Sequence, residues 1–216
     1  YIQCNESGST IRFIIPLALT KDNGQLTIDG KGKLVERPLD TYYKIFEKQD
    51  IEYKTTNGKL PLYIKGEIKP DTFETEGNIS SQFITGLLYT LPLLDDDSKI
   101  IIKNNLESKG YIDLTLEILK LAGIEITNND YKSFDIKGNQ KYSAFDYTVE
   151  GDYSQAAFWI VAGILGDEMN CKNIYKDSLQ GDKEIIEIVQ RMGAMLEIGE
   201  KSVKVFPGKT KGTVID

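Results

Sequence analysis

The chain has 216 residues, a formal net charge of −7 and no histidine. The acidic balance argues against nonspecific binding to nucleic acid, and the missing histidine excludes histidine-based triads, metal sites and general bases within this chain. No apolar run is long enough to span a bilayer, so we expect no membrane segment. Cys4 and Cys171 lack metal or redox spacing and are interpreted as reduced structural thiols, which is typical of a cytoplasmic protein.

Three stretches begin in the same way, with small polar residues ahead of an apolar run. They are residues 6–13, 77–83 and 151–158. The free N–H groups and partial positive charge of a helix start accept phosphate or carboxylate, and Ser or Thr caps such a start. We therefore predict a repeat protein with several helix ends that can bind one anionic ligand. In the third stretch, Asp152 is predicted to cap the helix, since a carboxylate already fills that site.

The middle of the chain shows the repeat most clearly. Helical and alternating apolar spacing predicts an element order of β-α-β-α-β-β, with Gly123 closing the second helix. The six elements are predicted at residues 72–76, 80–94, 99–103, 111–122, 124–127 and 134–137. Similar segments recur with a period of about 70 residues, which indicates stacked units.

The other two repeats are expected to differ at their ends. The third is predicted to copy the full order from about Tyr147 to Phe206, with Phe158 and Trp159 in the core. The first is predicted to lack its opening strand. Because the chain has no initiator Met and its last residues, 212–216, have the pattern of a starting strand, we expect a sequence cut from a longer protein at both ends.

Arginine is scarce, and two of the three arginines lie near the first predicted helix. Arg12 follows that helix start, and Arg37 lies close to Lys31 and Lys33. A guanidinium group can hold a carboxylate or phosphate through two hydrogen bonds. The segment is predicted to form a positive region in an acidic chain. Solvated charge, with Arg37 paired to Glu36 or Asp40, is the alternative.

Six motifs in order carry a resemblance to a known family. The chain resembles the EPSP synthase family, the 3-phosphoshikimate 1-carboxyvinyltransferases, over essentially its whole length. The motifs are ESGSTIR at 6–12, ERP at 36–38, GNISSQF at 77–83, SKGYID at 108–113, GDYSQAA at 151–157 and QGD at 180–182.

The resemblance implies an α/β (α+β) fold of two lobes, each with three β-α-β-α-β-β units around a pseudo-threefold axis. Residues 1–144 would be the last two units of the first lobe, the first of them incomplete, and residues 145–216 the first unit of the second lobe. The implied protein is a cytoplasmic monomer of the shikimate pathway and a target of glyphosate, with no nucleic-acid or membrane partner.

The implied reaction moves the enolpyruvyl group of phosphoenolpyruvate to the 5-hydroxyl of shikimate 3-phosphate and releases phosphate. It proceeds by addition and elimination through a tetrahedral intermediate, without metal or organic cofactor. The family's acid–base residues would all lie outside this chain, so no catalytic residue is assigned. We therefore expect residues 1–216 alone to show no turnover.

Carried over by motif, the resemblance assigns both substrate sites. Shikimate 3-phosphate would contact Ser80, Ser81, Gln82, Ser108 and Tyr111. Phosphoenolpyruvate would contact Gly8, Arg37 and Gln82, with Arg12 as support for the site. Without the resemblance, Ser80 and Ser81 are interpreted as helix caps, a role compatible with ligand contact.

Two other functions stay open at this point. One is the sister enzyme that transfers enolpyruvyl to UDP-N-acetylglucosamine. The Ser-Ser-Gln and Glu-Arg-Pro motifs argue against it, as does the position of Cys4 ahead of a helix rather than in a mobile loop. The other is a noncatalytic fragment that binds phosphorylated ligands.

Overall fold

The computed structural model describes residues 1–20 and 24–215, and the chain forms two compact units, Tyr1–Phe145 and Asp146–Asp216. We call them the N-terminal and C-terminal units. The assignment of residues 1–144 and 145–216 to two lobes stays a prediction. The fold is mixed α/β, as predicted, and each repeat has one sheet. Among the described helices, none is both long and apolar enough to cross a membrane.

The first repeat has the full element order, so the prediction that its opening strand is missing was wrong. Its elements are β1 (Ile2–Gln3), α1 (Gly8–Leu17), β2 (Gly24–Asp29), α2 (Asp40–Lys48), β3 (Glu52–Thr56) and β4 (Lys59–Gly66), with a 3-10 helix at Gly32–Glu36. The opening strand β1 is only two residues long, but it pairs in parallel with β2, Ile2 opposite Ile28. The sheet order is β1-β2-β4-β3.

The second repeat has the same topology. Its elements are β5 (Thr72–Glu76), α3 (Ser81–Thr90), β6 (Ser98–Lys103), α4 (Lys109–Leu121), β7 (Ile126–Asn129) and β8 (Ser133–Ile136). The sheet order β5-β6-β8-β7 matches that of the first repeat, with β5 parallel to β6. Helix α3 ends earlier than predicted and continues as a 3-10 turn at Leu91–Leu93, because Pro92 cannot donate to an α-helical ladder. Gly123 follows α4 with φ +79, as predicted for a helix end.

The third repeat is incomplete. Its elements are α5 (Tyr153–Leu165), β9 (Met169–Lys172), α6 (Ile185–Arg191), β10 (Met195–Gly199) and β11 (Ser202–Phe206), and its sheet has the order β10-β11-β9. The strand predicted near Tyr147 is not formed. Single hydrogen bonds hold that segment: Gly151 N–H donates to Asn173 O, and Asn173 Nδ2 donates to Val149 O. The strand predicted at 212–216 is likewise absent over 212–215, and Asp216 lies outside the described residues.

Helix α5 is apolar on more than one face, which makes another prediction wrong. Ala156, Ile160 and Ile164 form its buried side. Phe158 and Trp159 were predicted to lie in the core, but they are 74% and 59% exposed. Both residues lie in the helix as predicted, but on a side that does not face the sheet of the C-terminal unit.

The core of the N-terminal unit positions the helix starts. Helices α1 and α3 pack side by side, and Ile15, Ile84 and Leu87 are fully buried within one apolar cluster. Burying an aliphatic side chain of this size stabilises the fold by about 1.5–3 kcal/mol. This packing holds the first turns of α1 and α3 next to each other.

Candidate functional site

A cleft of about 830 Å³ opens in the N-terminal unit where α3 and α4 begin and α1 passes beside them. Seven of the eight predicted site residues line it. They are Arg12, Arg37, Ser80, Ser81, Gln82, Ser108 and Tyr111. The eighth, Gly8, is buried against the side chains of Arg12 and Arg37. The structure therefore brings together, in one place, residues that are up to 103 positions apart in the sequence, from Gly8 to Tyr111.

Two helix starts present hydroxyl groups to this cleft. Ser80 has extended backbone angles and caps α3, since its Oγ accepts a hydrogen bond of 3.3 Å from Gln82 N–H. Ser108 precedes α4, and its hydroxyl makes no capping bond. A hydroxyl can both accept from the helix and donate to an anion, so these serines suit a phosphate group.

The other two repeated helix starts show how the cap varies. Ser7 caps α1 and accepts 3.2 Å from Thr10 N–H. Asp152 caps α5, and its carboxylate accepts from both the N–H and the hydroxyl of Ser154. The prediction that Asp152 is a cap is confirmed.

Side chains from α1, from the loop before α2 and from α3 converge beside Gly8. A Cβ atom at this position would lie 2.8 Å from Nη1 of Arg12, 2.8 Å from Nη1 of Arg37 and 3.6 Å from Oε1 of Gln82. Contacts below 3.0 Å force a side chain to move, so any residue larger than glycine would displace both guanidinium groups. Gly8 thus permits two cations to converge beside one amide.

Arg12 is the buried cation of the site. It is 5% exposed, and its Nη1 donates to Gln82 Oε1 at 2.9 Å and to Gly8 O at 3.2 Å. Its guanidinium carbon lies 4.8 Å from the centre of the Phe83 ring. Burial and then the charge of Arg37 lower the pKa of Arg12, while Tyr42 acts in the opposite direction. Within the described part of the chain, its Nε has no hydrogen-bond partner.

Arg37 is exposed at the rim, directly before Pro38. The alternative pairing of Arg37 with Glu36 or Asp40 is not formed; the Glu36 carboxylate lies 3.5 Å from Lys59 Nζ. Over residues 1–20 and 24–215, neither Arg12 nor Arg37 has a salt bridge. Two nearby guanidinium groups without a carboxylate form a site that an anion would stabilise. Lys31 and Lys33 are not among the residues that line the cleft.

The floor of the cleft contains polar residues that the sequence analysis did not single out. Thr85 on α3 and Thr115 on α4 are buried, with their hydroxyl oxygens 3.0 Å apart. Thr115 also donates to the Tyr111 carbonyl at 2.8 Å. These bonds tie α4, and with it Ser108 and Tyr111, to α3. A threonine within an apolar helix pattern could have indicated a buried polar contact. The spacing along one helix does not, however, identify the partner on another helix.

Comparison with known proteins agrees with the motifs. The sequence profile of the EPSP synthase family matches residues 1–216. A 3-phosphoshikimate 1-carboxyvinyltransferase from Clostridium novyi is 58% identical over 215 residues, and one from Clostridioides difficile is 53% identical over 215 residues. Each alignment covers 100% of this chain and 49% of the relative, so the chain spans about half the length of the curated relatives it matches.

The fold is also found among solved structures. An EPSP synthase structure from Acinetobacter baumannii superposes with a TM-score of 0.74 at 18% identity, over 99% of this chain and 49% of that one. At that identity the likeness supports the fold alone. Together with the profile match over the whole chain, it leads to one conclusion: the chain belongs to the EPSP synthase (3-phosphoshikimate 1-carboxyvinyltransferase) family.

Proposed function

We propose that the full-length protein transfers the enolpyruvyl group of phosphoenolpyruvate to the 5-hydroxyl of shikimate 3-phosphate, as a cytoplasmic monomer of the shikimate pathway. Residues 1–144 would supply the last two units of its first lobe, and residues 145–216 the first unit of its second lobe. One observation carries this proposal. The cleft joins two serine-bearing helix starts to two guanidinium groups that lack a salt bridge within the described residues. Both proposed substrates are anions.

The acceptor substrate fits the side of the cleft formed by α3 and α4. Its phosphate would be held by the hydroxyls of Ser80 and Ser108, supported by the partial positive charge of both helix starts. Ser81 and Gln82 would contact the shikimate part. Tyr111, 51% exposed, would flank the ring.

Phosphoenolpyruvate fits the side formed by α1 and the loop before α2. Arg37 would bind it through a charged fork, and the glycine at position 8 leaves room for this guanidinium group beside that of Arg12. The Gln82 side chain, held by Arg12 at 2.9 Å, lies between the two subsites and would contact both substrates. The chain's contribution to the reaction is therefore to hold and orient two anions, while proton transfer is assigned to residues outside it.

The experiment is a transfer assay on the full-length protein, with phosphate release measured against phosphoenolpyruvate concentration. Arg37→Ala should raise the KM for phosphoenolpyruvate by about 10- to 100-fold, and Arg37→Lys by less, since Lys keeps the charge without the fork. Arg191→Ala, which removes an arginine at the end of α6, is the matched control. Equal kinetics for Arg37→Ala and the parent would remove Arg37 from the site.

The acceptor decides between the remaining functions. Turnover with UDP-N-acetylglucosamine instead of shikimate 3-phosphate would indicate the sister reaction. Phosphate-dependent binding of shikimate 3-phosphate without turnover by the full-length protein would indicate a noncatalytic binding protein.

A further inference from the structure

A proline inside α1 changes the hydrogen bonding of the helix that carries Arg12. In a regular helix the carbonyl of residue 12 accepts from the N–H of residue 16. Position 16 is Pro16, which has no N–H, so the Arg12 carbonyl loses its usual donor. A buried carbonyl without a donor is costly, and another group must serve it.

Tyr42, from the next helix along the chain, supplies that donor. Its hydroxyl donates to the Arg12 carbonyl at 2.5 Å and lies 3.5 Å from the Phe83 carbonyl on α3. The side chain is 1% exposed. Burial raises the pKa of Tyr42, an effect that the charge of Arg12 partly offsets, so the hydroxyl keeps its proton at neutral pH and remains a donor.

A glycine on α3 leaves the space for this contact. A Cβ at Gly86 would lie 2.4 Å from the Arg12 carbonyl oxygen, 2.4 Å from the Tyr42 hydroxyl and 3.3 Å from Cγ of Pro16. Pro16, Tyr42 and Gly86 therefore form one junction of α1, α2 and α3, built around a single carbonyl oxygen.

The three helices that meet there carry the proposed phosphoenolpyruvate residues. Gly8 begins α1, Arg37 lies three residues ahead of α2, and Gln82 is in the first turn of α3. We propose that Tyr42 is a positioning residue for the phosphoenolpyruvate subsite, acting through the Arg12 carbonyl to set the spacing of Gly8, Arg37 and Gln82. The inference rests on the proposed function and deepens it.

Tyr42→Phe in the full-length enzyme tests the role of the hydroxyl, because it keeps the ring and removes only the donor. We expect the KM for phosphoenolpyruvate to rise by about tenfold, with a much smaller change in kcat and in the KM for shikimate 3-phosphate. Tyr43→Phe is the matched control. It makes the same change at the next position of α2, where the hydroxyl is buried but has no hydrogen-bond partner in the described residues.

A second substitution predicts rescue. Pro16→Ala restores an N–H at position 16 that can serve the Arg12 carbonyl. In that background Tyr42→Phe should raise the KM for phosphoenolpyruvate less than about twofold. General destabilisation by loss of a hydroxyl would give no such rescue.

The outcomes separate this inference from the proposed function. A parent enzyme without enolpyruvyl transfer to shikimate 3-phosphate would overturn the proposed function itself. With an active parent, an unchanged KM in Tyr42→Phe, an equal rise in Tyr43→Phe or a missing rescue by Pro16→Ala would overturn the role of Tyr42. Should Tyr42→Phe fail to fold, the double variant decides: recovered KM supports the role, and a second folding failure or a KM still tenfold high overturns it.

Discussion

Helices α3 and α5 begin with similar segments, but their N-terminal caps differ in charge. Each follows a glycine and a short polar segment, and each has a side-chain cap, Ser80 for α3 and Asp152 for α5. The neutral serine leaves the helix dipole available to an outside anion, whereas the aspartate neutralises it. The same repeated segment thus leaves a helix start open to an anion in the N-terminal unit and closes it with a carboxylate in the C-terminal unit.

The two helices also differ six positions after the cap. That position is Gly86 in α3, where α1 and Tyr42 make close contact, and Phe158 in α5, which is exposed. The start of α3 thus combines a neutral cap with the nearby guanidinium groups of Arg12 and Arg37, which line the same cleft, whereas the start of α5 has an acidic cap. The comparison teaches that the repeat fixes the fold of each segment, and that single residues decide its chemistry.

Converting one cap into the other gives the largest expected effect. Ser80→Asp keeps a good cap but places a negative charge beside the phosphate subsite, so affinity for shikimate 3-phosphate should fall by about 100-fold or more. Calorimetric titration of the full-length protein, with shikimate as the control ligand, measures it. Asp152→Ser makes the reverse change in α5 and should leave the affinity unaltered. A Ser80→Asp protein that binds like the parent would refute the phosphate site at α3.

Filling the space at Gly86 is the second-largest of the expected effects, and it concerns the free energy of unfolding. Gly86→Ala places a methyl group 2.4 Å from the Arg12 carbonyl oxygen and 2.4 Å from the Tyr42 hydroxyl, so the packing around it must shift. The overlap should outweigh the helix propensity gained, for a net destabilisation of about 1–3 kcal/mol in urea unfolding. Gly181→Ala is the control, since its added Cβ would have nothing within 4 Å in the described part of the chain apart from its chain neighbours. Equal unfolding free energies for both variants would mean that α1 and α3 are not tightly packed there.

The smallest expected effect concerns the sheet of the second repeat and depends on pH. A hydrogen bond from Lys137, together with Gly138 N–H, lowers the pKa of Asp97 below its ordinary 3.8. This pair stabilises the fold above pH 3.8 and stops doing so as the pH falls through the lowered pKa. Lys137→Met should therefore lower the melting temperature at pH 6, by less than about 2 °C, and the difference from the parent should shrink as the pH falls below 3.8. Lys141→Met, without a salt bridge among the described residues, should show no such pH dependence.

Local patterns in the sequence were enough to predict most of the second repeat. The strand Thr72–Glu76 was predicted with its correct bounds, because alternation and flanking turns act within a few residues. The motifs predicted eight site residues, and seven of them line the cleft. The assignment of each residue to a substrate stays a prediction.

Other features depend on distant neighbours and could not be predicted. Tyr42 lies at an ordinary core position of α2, and its partner is a carbonyl freed by a proline on another helix. Phe158 and Trp159 were misplaced because α5 is apolar on several sides, so spacing alone does not tell which side meets the sheet. The strand expected near Tyr147 is not formed, because this segment makes isolated hydrogen bonds rather than the ladder of a β-sheet.

The exposed side of α5 gives the protein an optical reporter. Trp159 is the only tryptophan of the chain, and it is 59% exposed beside Phe158. Indole fluorescence shifts to shorter wavelength when water is replaced by apolar surroundings. Its emission in residues 1–216 would therefore register, without any added dye, whatever surface comes to cover this helix.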